Sequence, residues 1–228
     1  MIVATHQPLF LPWPGFFFKA MRADCMVLLD SVQFPRGRSW MTRNRLKSAP
    51  GELWLSVPVH RKGRRLQTIG EVRLFGQKNW QRKHLTSIRQ WYANAPYLEE
   101  YLPTVQKIYA TDDDRLLSLN LRFIRLLWEA LRIDTQLILQ SETGIVGQRT
   151  DLIIRICEHL GARRYVTFAM ASKYLDSAQM MQAGIQLETV PFRPPVYPQL
   201  WGDFIPNLSA LDLVLNCGPA SSRVLARS

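Results

Sequence analysis

The chain has 228 residues, 47% hydrophobic and 21% charged, with a net charge of +11, which suffices for one large α/β-sized domain with a sizeable core and excludes a disordered chain. No apolar run approaches the roughly 20 residues of a membrane span, the N-terminus lacks the basic start and cleavage site of a signal peptide, and Cys25, Cys157 and Cys217 are too scattered for a disulfide framework or a zinc site. A cytoplasmic protein with reduced cysteines is therefore expected; the motifs imply no metal and no other cofactor, and the oligomeric state is left open.

Residues 1 to 5 read as a buried strand that empties into Thr5-His6-Gln7-Pro8-Leu9-Phe10-Leu11-Pro12-Trp13-Pro14-Gly15. A strand ending in a proline-stiffened loop delivers His6 and Gln7 to its carboxyl end, where open α/β sheets hold their ligands. Phe16 to Arg22 follows as a short helix and Cys25 to Leu29 as a second buried strand, a βαβ opening with parallel strands. His6 can take a proton from an attacking amine, and Gln7 can bond a hydroxyl or an amide carbonyl. Lys19 lies within reach of an anion at the helix start, and Asp30 ends the second strand, where it can orient the imidazole or bind a sugar hydroxyl. The plainer alternatives are a strand-end histidine bonded to backbone, a surface lysine and a turn-forming aspartate.

Between Pro35 and His84 stand 13 Lys or Arg against two Glu, so the whole positive excess falls in this segment. Such a patch attracts polyanions: RNA, an anionic lipid surface, or the phosphates of an activated sugar; a solvated face is the alternative. Arg43 and Asn44 follow Trp40 here, and Arg suits gripping phosphate or carboxylate. Trp54 to Val59 and Glu71 to Phe75 are expected to form a hairpin around the basic loop His60-Arg61-Lys62-Gly63-Arg64-Arg65.

From Asn79 the period becomes helical: a helix with Trp80, Leu85, Ile88 and Tyr92 stops before Pro96, another runs from Leu98 to Tyr109, and a third from Leu116 to Leu131 follows Asp112-Asp113-Asp114. The acidic triplet fits a helix start better than a metal site. His84, on the first of these helices, is either a second acid/base group or a structural histidine. Strands at Gln136–Leu139, Tyr165–Thr167 and Gln186–Val190 then alternate with helices at Arg149–Leu160 and around Ser172–Gln182, restoring β/α layering. A last helix over Leu208–Leu215 sets Ser209, Asp212 and Asn216 on one face, a second candidate binding site. The expected architecture is an open, mainly parallel Rossmann-like sheet in a single α/β domain, with a helical insertion at about 79–131.

The order His6-Gln7-Pro8, Leu11-Pro12-Trp13, Gly15, Lys19, Asp24, Val27 to Asp30, Val32-Gln33-Phe34, Trp40, Arg43-Asn44, then Trp54 to Pro58, Trp80, His84, Tyr92, Pro96-Tyr97, and finally Tyr197-Pro198-Gln199, Leu208-Ser209, Leu211-Asp212 and Asn216-Cys217-Gly218 resembles the WbqC-like family of bacterial proteins. The resemblance runs along nearly the whole chain. It implies a transferase-like enzyme of O-antigen (lipopolysaccharide) biosynthesis, one that moves an aminoacyl group such as glycine onto an amino sugar carried on a nucleotide or lipid phosphate. His6, Asp30 and His84 would serve catalysis, and Gln7, Lys19, Arg43, Asn44, Ser209, Asp212 and Asn216 binding. One departure stands out: where a Ser-Gly pair is expected after Tyr165, this chain has Val166-Thr167-Phe168-Ala169. Two other functions compete. A nucleotidylyltransferase-like enzyme fits the opening layout, although no second histidine follows His6 closely, and a non-catalytic nucleic-acid-binding module fits the basic segment, although no RNA-binding signature is present.

Overall fold

The computed structural model describes every residue except Lys62, Arg65, Gln77 and Lys78. Five parallel strands form the central sheet: β1 (Ile2–His6), β2 (Cys25–Leu28), β5 (Gln136–Leu139), β6 (Arg164–Thr167) and β7 (Gln186–Thr189), in the order β5-β2-β1-β6-β7. Alternate residues of these short apolar strands face opposite layers. Ala4, Met26, Leu28 and Val166 pack beneath α1 (Pro14–Ala20), α4 (Leu116–Ala130) and α9 (Ala210–Cys217). Val3, Cys25, Val27 and Tyr165 pack against α6 (Arg149–His159) and α8 (Ser177–Gln182). Leu28 is the last fully buried position of β2; Leu29 is already half-buried.

The expected run of three helices is present as α2 (Asn79–Trp91), α3 (Leu98–Ala110) and α4, and their apolar stripes join the core above the sheet. Asp113 accepts the backbone N–H of Arg115 at 2.9 Å, as an acidic residue ahead of a helix does. The short pieces α5 (Gln140–Thr143), α7 (Ala169–Ser172) and α10 (Ser221–Ala226) complete the helical set among the described residues.

The hairpin expectation is corrected. The antiparallel pair is β3 (Arg43–Ser48) with β4 (Gly51–Ser56), in register from Arg43 opposite Ser56 to Ser48 opposite Gly51. Glu71 belongs to a 3-10 turn at Ile69–Glu71, and the backbones of residues 58–60 and 73–75 pair through an isolated bridge, Val59 to Leu74, rather than as strands. The physical reason is that β3 hides its inward side chains by hydrogen bonding rather than by apolarity. Asn44, Lys47 and Ser48 are buried in a strand whose composition reads as charged surface.

In strand order the chain leaves β1 toward β2 on one side and returns to β6 on the other. The order therefore reverses at β1/β6, the crevice where sheets of this type bind ligands.

Candidate functional site

The loop leaving β1 has no secondary structure of its own, so its buried backbone groups need outside partners. Phe10 donates to Trp40 O at 3.0 Å, Asn44 Nδ2 donates to Phe10 O at 3.2 Å and to Leu11 O at 2.6 Å, and Ala210 donates to Pro12 O at 2.8 Å. Asn120 of α4, with no exposed surface, donates to Pro8 O at 2.8 Å and to Met41 O at 2.9 Å. These bonds hold Leu11 at φ +44°, a left-handed conformation that costs a branched residue energy and is kept where the surroundings over-determine it. Asn44, expected to bind substrate, thus bonds the loop and also borders the cleft described next. Asn120 was not singled out in the sequence, where an asparagine among leucines on an apolar helix face is the only signal.

That loop borders a cleft of about 490 Å³ lined by His6, Gln7, Leu9 and Trp13, by Trp40, by Asn44 and Arg45 of β3, and by Asn207. Trp13 is set by Gly15: a Cβ there would stand 2.2 Å from the indole, so the ring rests directly on glycine backbone. Beyond it lie Phe168 at 5.5 Å and Phe192 at 5.1 Å between ring centroids. Of the residues that stand where the Ser-Gly pair is expected, Phe168 therefore backs this wall. Trp40, 47% exposed, stacks on Trp54 at 5.7 Å. Arg43 lies 4.1 Å over Trp54, and Arg45 is ion-paired with Glu52 and donates to Asn207 O at 3.1 Å. Arg45 Nε and Asn207 Oδ1 are buried without a hydrogen-bond partner.

His6 Nδ1 lies 3.0 Å from Gln7 O, and the ring meets Phe16 edge-on at 4.9 Å. Burial, and secondarily the charge of Lys19, lowers its pKa from 6.5 to about 3. The imidazole is therefore neutral near pH 7; beside a carbonyl oxygen Nδ1 carries the proton, which leaves Nε2 as a lone-pair acceptor. Lys19 is not a surface lysine. It is 3% exposed in the last turn of α1, donates to Thr5 O at 2.7 Å, and stands 5.4 Å over the Phe168 ring at the β1/β6 crevice. Burial lowers its pKa from 10.5 to about 7, so the amine is partly un-ionised at neutral pH.

The other candidates lie apart from the cleft lining. Asp30 is buried and binds the start of α5, accepting from Ser141 N at 2.9 Å and from Ser141 Oγ at 2.6 Å, while His6 Nδ1 contacts Gln7 O instead. His84 is buried among Phe10, Trp80 and Tyr109, with Nδ1 3.0 Å from the Tyr109 hydroxyl, and burial lowers its pKa to about 4. Ser209 caps α9 by accepting from Leu211 N at 3.2 Å. Asp212, with no exposed surface, accepts from Tyr92 at 2.5 Å, Tyr197 at 2.7 Å and Gln199 at 3.0 Å; burial raises its pKa and those of both tyrosines. Asn216 donates back to Asp212 O at 2.7 Å.

Part of the basic segment lies in two loops. Arg61 donates to Pro35 O at 2.9 Å and to Arg36 O at 3.1 Å, and Phe34 donates to Gln67 O at 3.0 Å, which ties residues 34–38 to Arg61 and Gln67. Arg36, Arg38 and Arg64 are exposed on it; Lys62 and Arg65, expected on the same surface, lie outside the described residues. Among the described residues no three His, Cys, Asp or Glu side chains come together as a metal site, and no helix is long and apolar enough to cross a membrane.

An open parallel sheet with a cleft at the carboxyl end of its central strand defines an α/β protein of Rossmann-like form. Within that class, the chain belongs to the WbqC-like protein family, whose match spans residues 7–224. A relative from Mycobacterium tuberculosis, the uncharacterized protein Rv1507c, is 30% identical over 218 residues, covering 95% of this chain and 94% of the relative. No solved structure matches the chain.

Proposed function

We propose that the His6–Gln7 cleft is the active site of a transferase that acylates the amine of a carbohydrate in bacterial surface-polysaccharide biosynthesis. The observation that carries this reading is the pairing of two tryptophan walls, Trp13 and Trp40, with a neutral, backbone-anchored imidazole in one cleft at the end of β1. Aromatic walls cover the apolar face of a ring, while Gln7, Asn44 and Asn207 are uncharged groups suited to hydroxyls and amides. The one arginine of the lining is already paired with Glu52. In the reaction the sugar amine attacks an activated carbonyl, a C–N bond forms and the bond to the leaving group breaks. His6 Nε2 takes the proton from the attacking nitrogen and returns it to the leaving atom. Burial, more than Lys19, disfavours the imidazolium formed on the way, so a partly un-ionised Lys19 relieves only the smaller part of that cost.

A thermal-shift screen of amino sugars, nucleotide sugars, nucleotides and amino acids tests the reading. A ligand at 100 times its Kd stabilises the native state by about 2.7 kcal/mol. Amino-sugar compounds should raise the melting temperature of the wild type and fail to do so in Trp40→Ala. Stabilisation by nucleotides lacking a sugar substituent, and by nothing else, would move the cleft to the nucleotidylyltransferase-like reading, since tryptophan also stacks on bases.

A further inference from the structure

We infer that the joined loops around Arg36 and Arg38 and around Arg61, Arg64 and Leu66 dock the protein on an anionic lipid surface, and that the substrate is presented to the cleft from that surface rather than from solution. The second half rests on the carbohydrate reading of the cleft; the first does not. Three observations carry the docking.

The loops present cations with no acid among them. Arg36, Arg38 and Arg64 are exposed, and among the described residues no ion pair involves any of them, whereas Arg45 and Arg73 within the same basic segment are matched by Glu52 and Asp114. The nearby Glu71 is occupied by its own turn, accepting from Thr68 N at 2.7 Å and from Thr68 Oγ1 at 3.0 Å.

The cationic loop also carries bare apolar side chains. Leu66 is 77% exposed in the basic loop, and Phe75, 54% exposed, packs edge-on against His60 where that loop begins. A chain that only needed a solvated, phosphate-gripping face would not place leucine there. A leucine among arginines is the arrangement by which interfacial segments combine attraction to anionic headgroups with shallow insertion. That combination favours a bilayer over RNA, because Leu66 offers no ring for a base to stack on, Phe34 is buried beneath Arg61, and the nearby Trp40 and Trp54 are stacked on each other with Arg43 over Trp54.

The unit is braced and close to the cleft. Arg61 and the Phe34–Gln67 bond tie the loops together, and Arg36 is four residues from Trp40, at most about 14 Å along the chain. A ligand held by its lipid phosphate at the loops thus has its headgroup within reach of the Trp40 wall.

Flotation with phosphatidylcholine vesicles, with and without 30% phosphatidylglycerol, tests this at low and physiological salt. The protein should float only with the anionic vesicles. The Arg36→Glu/Arg38→Glu/Arg64→Glu variant should lose binding by more than tenfold, and Leu66→Ser by severalfold with charge unchanged. A Leu66→Cys variant carrying an environment-sensitive fluorophore should shift to the blue on the anionic vesicles. Absence of flotation at low salt, or flotation indifferent to the triple charge reversal and without a blue shift, overturns the docking. Binding of a single-stranded RNA that the triple variant loses, with no vesicle binding, gives the surface to RNA instead. Amino-sugar binding to the Trp40 cleft, measured without vesicles, reads the carbohydrate assignment separately, so either can fail alone.

Discussion

Two polar clusters in this protein look alike in sequence and differ in what their atoms have left to give. Around Asp212, every carboxylate contact goes to an internal partner, and Tyr92 in turn accepts the backbone N–H of Lys47 at 2.8 Å. That cluster ties α2, β3, the loop after Pro195 and α9 into one piece. Around His6, bonds hold the backbone, but the imidazole has only one nitrogen anchored, while Arg45 Nε and Asn207 Oδ1, buried behind the cleft, have no partner. A buried polar group that is fully bonded specifies a fold, and one that is held yet unsatisfied at a cavity is available for chemistry.

The sharpest way to break this comparison is His6→Ala. Loss of proton transfer should lower turnover by roughly 100- to 10,000-fold, with thermal stability nearly unchanged; assay of the acyl transfer beside calorimetry checks it, and unaltered turnover would return His6 to structure. Asp212→Ala should do the reverse. Removing one partner of a buried charged network costs about 3–5 kcal/mol, read as a lower urea midpoint, whereas a fully stable variant with impaired ligand binding would make that helix face a site after all.

Gly15→Ala sharpens the contrast, because the new methyl displaces the Trp13 ring. Ligand affinity should fall at least tenfold for a stability loss of about 1–3 kcal/mol from overpacking, measured by titration and denaturation of one sample. The effect that is smallest near neutrality is in pH, and it grows as pH falls below 6.5. His6 and His84 stay neutral in the native protein down to about 3 and about 4, while the unfolded chain takes up protons through 6.5. The unfolded state therefore binds more protons between those values, and stability rises with pH across that window by up to about 1.4 kcal/mol per unit for each histidine. Denaturation series from pH 4 to 7 should be shallower in His6→Ala; parallel slopes would contradict the depressed native value.

Much of this architecture was legible because the sheet obeys apolar periodicity: the opening βαβ, the helices from Asn79 to Ala130 and the later strands fall close to where the pattern places them. The β3–β4 pair was illegible for the opposite reason. Its inward residues Asn44 and Lys47 are buried by bonds to Leu11 O and to Gln199 Oε1, partners far away in sequence, so composition alone reads the strand as surface. The same holds at the site. His6 and Gln7 could be singled out from a proline-stiffened strand end, but Arg45 and Asn207 reach the cleft only through the tertiary fold. Asp212 was noticed for its spacing with Ser209 and Asn216, which reflects one turn of a helix bonding to itself and to its neighbours.

The central position of β1 sets the timetable of synthesis. Val3 lies opposite Cys25 on one side, so half of its ladder can close as soon as the first few dozen residues leave the ribosome. Its other edge waits for Tyr165, and the cleft waits longer still, for Asn207. Until then a nascent chain carries an open strand edge beside the run Phe16-Phe17-Phe18, the combination that invites intermolecular pairing. A chain cut short before its last quarter therefore keeps that open edge beside the three phenylalanines, a fragment prone to aggregate.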